Sequence, residues 1–170
     1  KEAYAVVLGV KPQALEKTLA PLQSILAARE DFFLISMAAG TSIARLEELF
    51  GDRFIIRIMP NTPVSVGKGM TLWCANEKVF KAQTDTFEDL LSESGRLDRI
   101  DEKMIDAASA VSGCGPAFVY LFAEALADGG VLCGLPRDKA LTYAAQTLAG
   151  AAEYLMASGE HPGKLKDNVC

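Results

Sequence analysis

The residues best suited to chemistry form the run Ser112-Gly113-Cys114-Gly115-Pro116-Ala117, directly ahead of the most apolar helical stretch of the chain. Glycine at 113 and 115 bares backbone N–H groups, proline at 116 suits a first helical position, and a helix N-terminus carries partial positive charge. Such a turn can hold an anion, for instance a substrate carboxylate; it can equally serve as a hinge or a close-packing turn between two buried helices. Cys114 has no base or cation beside it in sequence, so a nucleophilic role is not expected. Three shorter runs share the same small, rigid character: Val10-Lys11-Pro12-Gln13, Ala38-Ala39-Gly40-Thr41 and Pro60-Asn61-Thr62-Pro63. Pro12 fixes its own φ and drives Lys11 extended, which offers the Lys11 amide to a ligand or simply opens a helix. Ala38-Ala39-Gly40 removes side-chain bulk where a flat ring could lie against the backbone, or makes a tight turn. In Met59-Pro60-Asn61-Thr62-Pro63 two prolines bracket an amide that both donates and accepts hydrogen bonds; the other reading is an ordinary Asn turn.

Elsewhere the titratable residues do not assemble. His161 is the only histidine, and no Ser/His/Asp or Cys/His relay can be built around it. Asp106, Glu124 and Asp128 fall at spacings of surface or helix-end charges. No catalytic acid, base or nucleophile is therefore assigned. Cys74, Cys114, Cys133 and Cys170 lack any C-x-x-C spacing, so neither a metal site nor a disulfide framework is expected. They read as reduced thiols of a cytoplasmic protein.

The elements that must position these runs follow from periodicity. Apolar or β-branched stretches at 5–10, 32–37 and 53–59 alternate with helical patterns at 13–29 and 42–50, the mark of β-α-β units in a parallel sheet. Each short run follows one of those strands, at the carboxyl end where open parallel sheets bind ligands. A strand at 70–75, a helix at 78–94 and a short strand at 96–100 complete this half. Strand signals stop near residue 102, which predicts a sheet domain over 1–102 and a helical one over 103–170, with helices at 102–111, 116–133 and 137–157 and a turn at His161-Pro162-Gly163. Helices apolar on most faces must be covered all round, and three of them cannot cover one another. A homodimer through this half is the expectation, with further assembly left open. The stretch 116–135 carries Glu124 and Asp128, so it reads as a buried helix and no membrane is expected. Seventeen Lys and Arg against 22 Asp and Glu give a net charge of -5, which leaves no basic field for nucleic acid. The chain starts without Met or a signal pattern and runs straight into a strand, so it reads as cut at its start.

In this order, Val10-Lys11-Pro12-Gln13, Ser36-Met37-Ala38-Ala39-Gly40, Arg57-Ile58-Met59-Pro60-Asn61-Thr62-Pro63, Ser112-Gly113-Cys114-Gly115-Pro116-Ala117, Glu124-Ala125-Leu126-Ala127-Asp128-Gly129-Gly130 and His161-Pro162-Gly163-Lys164-Leu165-Lys166-Asp167-Asn168-Val169 resemble the pyrroline-5-carboxylate reductase family from end to end. The resemblance implies an α/β protein, part of a Rossmann-type parallel-sheet domain followed by an all-α dimerisation domain. The implied reaction is the NADPH- or NADH-dependent reduction of L-1-pyrroline-5-carboxylate to L-proline, the last step of proline biosynthesis. It implies that Val10, Lys11, Pro12, Ala38, Ala39, Gly40, Met59, Pro60 and Asn61 line the cofactor. Ser112, Gly113, Cys114, Gly115, Pro116 and Asn168 would serve the substrate.

Two departures stand out. No G-x-G-x-x-G precedes Ala5, and the chain stops at Cys170, where the family continues into a Ser-Pro-Gly-Gly-Thr-type loop. These 170 residues alone are therefore expected to turn over poorly or not at all. Cys114 stands where the family often has Ser. A β-hydroxyacid-type dehydrogenase would need a Lys on the long helix, and none occurs between Met104 and Arg137. A non-catalytic dinucleotide-binding or dimerisation module is the reading from another class.

Overall fold

The computed structural model describes residues 3–29 and 32–170; Lys1 and Glu2, part of the start that reads as cut, lie outside the described residues. The chain packs as two compact units, Lys1–Pro116 and Ala117–Cys170.

The first unit is built on a five-stranded sheet in sequence order: β1 (Ala5–Leu8), β2 (Phe33–Ser36), β3 (Ile55–Met59), β4 (Gly69–Ala75) and β5 (Gly95–Arg99). The first three are mutually parallel, as the alternation with helices predicts, and β5 runs parallel to β4. The sheet is not parallel throughout, because β4 is antiparallel to β3. Residues 60–68, which join them, hold only a 3-10 turn at Thr62–Val66, and a parallel return needs a crossover of about a dozen residues or more.

Strands sandwiched between layers are apolar on both faces, and side chains alternate between those faces. Leu34, Ile55 and Cys74 therefore join one core with Leu15, Leu19, Leu46 and Ile105, while Phe33, Ile35, Ile56 and Trp73 join a second with Phe87. The first core is roofed by α1 (Leu15–Leu19), α3 (Ile43–Phe50) and α5 (Ile105–Ser112), the second by α4 (Lys81–Leu91). The helix expected at 13–29 is broken. A 3-10 turn at Pro12–Ala14 precedes α1, and another at Ala20–Leu22 separates it from α2 (Gln23–Ala27). Pro21 lies in the second turn, where it lacks an N–H for the helix ladder and crowds the preceding turn.

One charge lies inside this sheet. Arg57, in the middle of β3, is only 7% exposed. Its guanidinium pairs with Glu102 at 2.9 Å and Asp106 at 3.5 Å, as a buried cation must. The same Glu102 oxygen accepts the Ile43 N–H at 2.7 Å, so one carboxylate ties β3, the first turn of α3 and the segment entering α5. Asp106, which its spacing marks as a surface charge, is exposed yet reaches this site. The composition change near 102 groups α5 with the helical half; in the structure α5 packs with the sheet, held by Ile105 in the core and by this ion pair.

The second unit consists of most of α6 (Gly115–Leu132), with α7 (Arg137–Ser158) and α8 (Pro162–Val169). Its buried apolar cluster is Ala127, Ala140 and Ala144, packed with Val131. Phe118, Tyr120, Leu121, Phe122, Leu141 and Tyr143 of these helices, expected to be covered by a second copy, are exposed on the single chain. Small residues let α6 and α7 approach closely, but so few helices cannot enclose one another. The turn expected at His161-Pro162-Gly163 begins α8, with Pro162 in its first turn and the His161 ring accepting the Gly163 N–H at 3.0 Å. A short, polar helix has little apolar periodicity to betray it.

Glu102→Ala is expected to cost about 2–3 kcal/mol in urea unfolding, below the full range for stranding a buried charge because Asp106 remains. Glu102→Gln, which keeps an acceptor for the Ile43 N–H, should cost less; unchanged midpoints for both would show that Arg57 is not held this way. Burial, helped by Glu102, pushes the Cys74 thiol up to about 11. Cys74 should therefore resist iodoacetamide at about pH 8 until the chain is unfolded, while exposed Cys114 reacts in the native state. Equal labelling of the two by mass spectrometry would contradict this.

Candidate functional site

Leu8 pairs with Ser36 and Ser36 with Arg57, so β1, β2 and β3 end at one edge of the sheet. The three loops expected there do lie side by side. After β1, Lys11 is extended, with φ -63° and ψ 144°, as Pro12 requires, and its carbonyl accepts the Ala14 N–H at 2.9 Å to close the 3-10 turn. Lys11 and Pro12 are exposed and Val10 is half-buried.

After β2, the Met37 N–H donates to the Leu8 carbonyl and stitches the two loops together. The Ala38 side chain is buried in the core, which leaves Ala39 and Gly40 as the exposed part of this run. Gly40 has φ +70°, and nothing lies within 4 Å of the position its Cβ would take. The backbone there faces open space.

After β3, Met59, Pro60 and Asn61 are half-buried. The Asn61 amide is turned inward: its Nδ2 donates to the Ser112 carbonyl at 2.9 Å, and its Oδ1 accepts the Met70 N–H at 2.9 Å. The loop beyond it is pressed onto the sheet by glycines that residue types alone did not single out. A Cβ on Gly69 would fall 2.2 Å from Val64 Cγ1, and one on Gly95 2.2 Å from the Gly69 carbonyl oxygen. Only hydrogen fits at either place.

The run at 112–116 is thereby brought beside the β3 loop. Its donors are more committed than their types suggest. The Gly113 and Cys114 N–H groups both donate to the Ser109 carbonyl, at 2.8 and 3.1 Å, and the Ser112 hydroxyl donates to Ala108. The break between α5 and α6 is thus short and keeps helix-like bonding, so the Gly113 donor expected for an anion is engaged within the chain. Gly115 is different, for no atom lies within 4 Å of a Cβ built there. Asn168, the remaining candidate, lies exposed on α8 in the second unit.

A separate cleft of about 650 Å³ lies between α3 and the far ends of β4 and β5. Among its charged groups, Glu47 accepts a hydrogen bond from Asn76, Glu102 pairs with Arg57 and Lys78 pairs with Asp52. Ala75, which lines it, is level with Ile56 early in β3, away from the edge that gathers the loops.

Residues 102–170 match the family model described as pyrroline-5-carboxylate reductase dimerisation. The pyrroline-5-carboxylate reductase of Glycine max is 41% identical over 169 residues, covering 99% of this chain and 61% of that protein. The one from Synechocystis sp. is 44% identical over 164 residues, covering 96% and 60%. The crystal structure of Plasmodium falciparum pyrroline carboxylate reductase with NADP bound superimposes with a TM-score of 0.89 at 36% identity, over 99% of this chain and 63% of that one. The Coxiella burnetii enzyme gives 0.86 at 33% identity, with the same coverage. The chain thus spans about three fifths of the length of the relatives it matches. Prephenate dehydrogenase from Aquifex aeolicus, at 13% identity and a TM-score of 0.51, shares the fold alone. Over the length it spans, the chain is similar in sequence and in fold to pyrroline-5-carboxylate reductases, and its helical part matches their dimerisation model.

Proposed function

We propose that the protein carrying this chain reduces L-1-pyrroline-5-carboxylate to L-proline with NADPH or NADH, the last step of proline biosynthesis, in the cytoplasm. The observation that carries the reading is the end-to-end similarity to proteins named for this reaction, one of which is described with NADP bound. Four free cysteines suit a reducing compartment.

The residues present fit a nicotinamide cofactor. The open space over Gly40, the exposed Ala39 and the extended backbone at Lys11 form a surface without bulk at the edge where parallel sheets bind such groups. Bound there, the cofactor supplies a hydride. Val10, Lys11, Pro12, Ala39, Gly40, Met59 and Pro60 hold and orient it, with Ala38 acting through the core beneath. The open side of the turn at Gly115 receives the imino acid, and Asn168, on α8, is assigned to the substrate by the family resemblance alone. No side chain needs to be a strong acid, since the imine nitrogen is basic enough to carry a proton before attack. Holding the two partners in register then supplies much of the rate.

The exposed apolar faces of α6 and α7 are covered by a second copy of the chain in this reading, which the dimerisation family model supports. By length and apolarity alone the helical run Glu102–Leu132 would also suit a bilayer. Glu124 lies in that run, and Asp128 pairs there with Arg137, which favours a protein neighbour.

The full-length protein should oxidise NADPH or NADH when given the cyclic imine and form proline; absence of proline with both cofactors would overturn the reading. Light scattering at micromolar concentration should give twice the mass of one chain or a multiple of that. A well-behaved monomer would remove the dimer.

A further inference from the structure

The Asn61 amide has two functions, and both are engaged with backbone. Ser112, 51 residues away, ends α5, and its carbonyl belongs to the set that a helix terminus leaves without an intrahelical donor. Asn61 Nδ2 supplies that donor, while Oδ1 takes the N–H of Met70 near the start of β4. The orientation is dictated by the partners, because a flipped amide would set oxygen against carbonyl and N–H against N–H. Next to Ser112, the Gly113 backbone sits so close to Met59 that a Cβ there would lie 3.6 Å from Met59 Cε. The loop after β3 and the turn at 112–116 therefore touch at one clamped point.

We propose that Asn61 is a positioning residue, not a ligand: its amide sets the spacing between the cofactor-facing loop after β3 and the substrate-facing turn at 112–116. The proposal rests on the imine-reductase reading for the identity of the two ligands, though the clamp itself does not. The near relatives of Asn do not make both bonds at neutral pH. Gln places its amide one methylene too far, Ser and Thr fall short of spanning both partners, and an Asp carboxylate keeps the Met70 bond but turns its second oxygen on the Ser112 carbonyl.

That last property makes Asn61→Asp the decisive variant, because a protonated carboxyl donates from one oxygen and accepts at the other as the amide does. In the full-length protein, hydrogen exchange at Gly113 and Cys114 is expected to rise about tenfold in Asn61→Ala, the loss of one typical hydrogen bond. Asn61→Asp should match it at about pH 8 and return toward wild type as the pH falls to about 4 and below, where the carboxyl protonates. Turnover of the imine, as a ratio to wild type at each pH, should follow the same course, with NADPH affinity changed less than about twofold. Asn61→Asp is isosteric and keeps the test open should the Ala variant unfold. Weakened NADPH binding with unchanged exchange at 113–114 would make Asn61 a ligand and overturn the proposal, as would an Asn61→Asp variant whose exchange relative to wild type is the same at every pH. Wild-type protein that clamps the turn but reduces no imine would refute the function and leave the clamp standing.

Discussion

A guanidinium in the middle of a sheet strand is the constraint from which the first unit is organised. Arg57 has almost no access to water, so a carboxylate must lie over that point of β3. Glu102 provides it from the segment that enters α5, and the same oxygen receives the Ile43 N–H. Satisfying one buried charge thus fixes where α3 begins and where α5 starts its run across the sheet. α5 then ends at Ser112, beside the loop after β3, where Asn61 meets it. Both ends of α5 are held to the neighbourhood of a single strand, one by an ion pair and one by an amide.

The loop edge owes its shape to what is missing from it. β3 returns as β4 without a helix, so the loop between them must lie flat, and Gly69 and Gly95 let it by carrying no Cβ. In the neighbouring loop the backbone at Gly40, with φ +70°, is left facing open space. A surface of backbone with little side-chain cover suits a flat ring, and its rigidity comes from the strands beneath it.

The second unit obeys the opposite economy. Its helices meet through alanines and leave their aromatic side chains outside, so a single copy buries little. Such a surface calls for a large apolar partner, and a self-complementary face on a second copy is the simplest one.

The sequence by itself determined the element types and the loop edge, because apolar periods of two and of 3.6 residues are local and survive being read one residue at a time. It also carried the resemblance to pyrroline-5-carboxylate reductases, through six runs in a fixed order. It left the helix at 13–29 unbroken although Pro21 marks the break, and it read α8 as a turn because a short polar helix has no apolar stripe. The bond between Asn61 and the Ser112 carbonyl and the pairing of Arg57 with Glu102 were decided only by tertiary structure. Residues 45 or 51 positions apart share no local pattern, and a side chain able both to donate and to accept shows its role only once its partners surround it. The run at Pro60-Asn61 was legible as a site edge; that its amide faces inward was not.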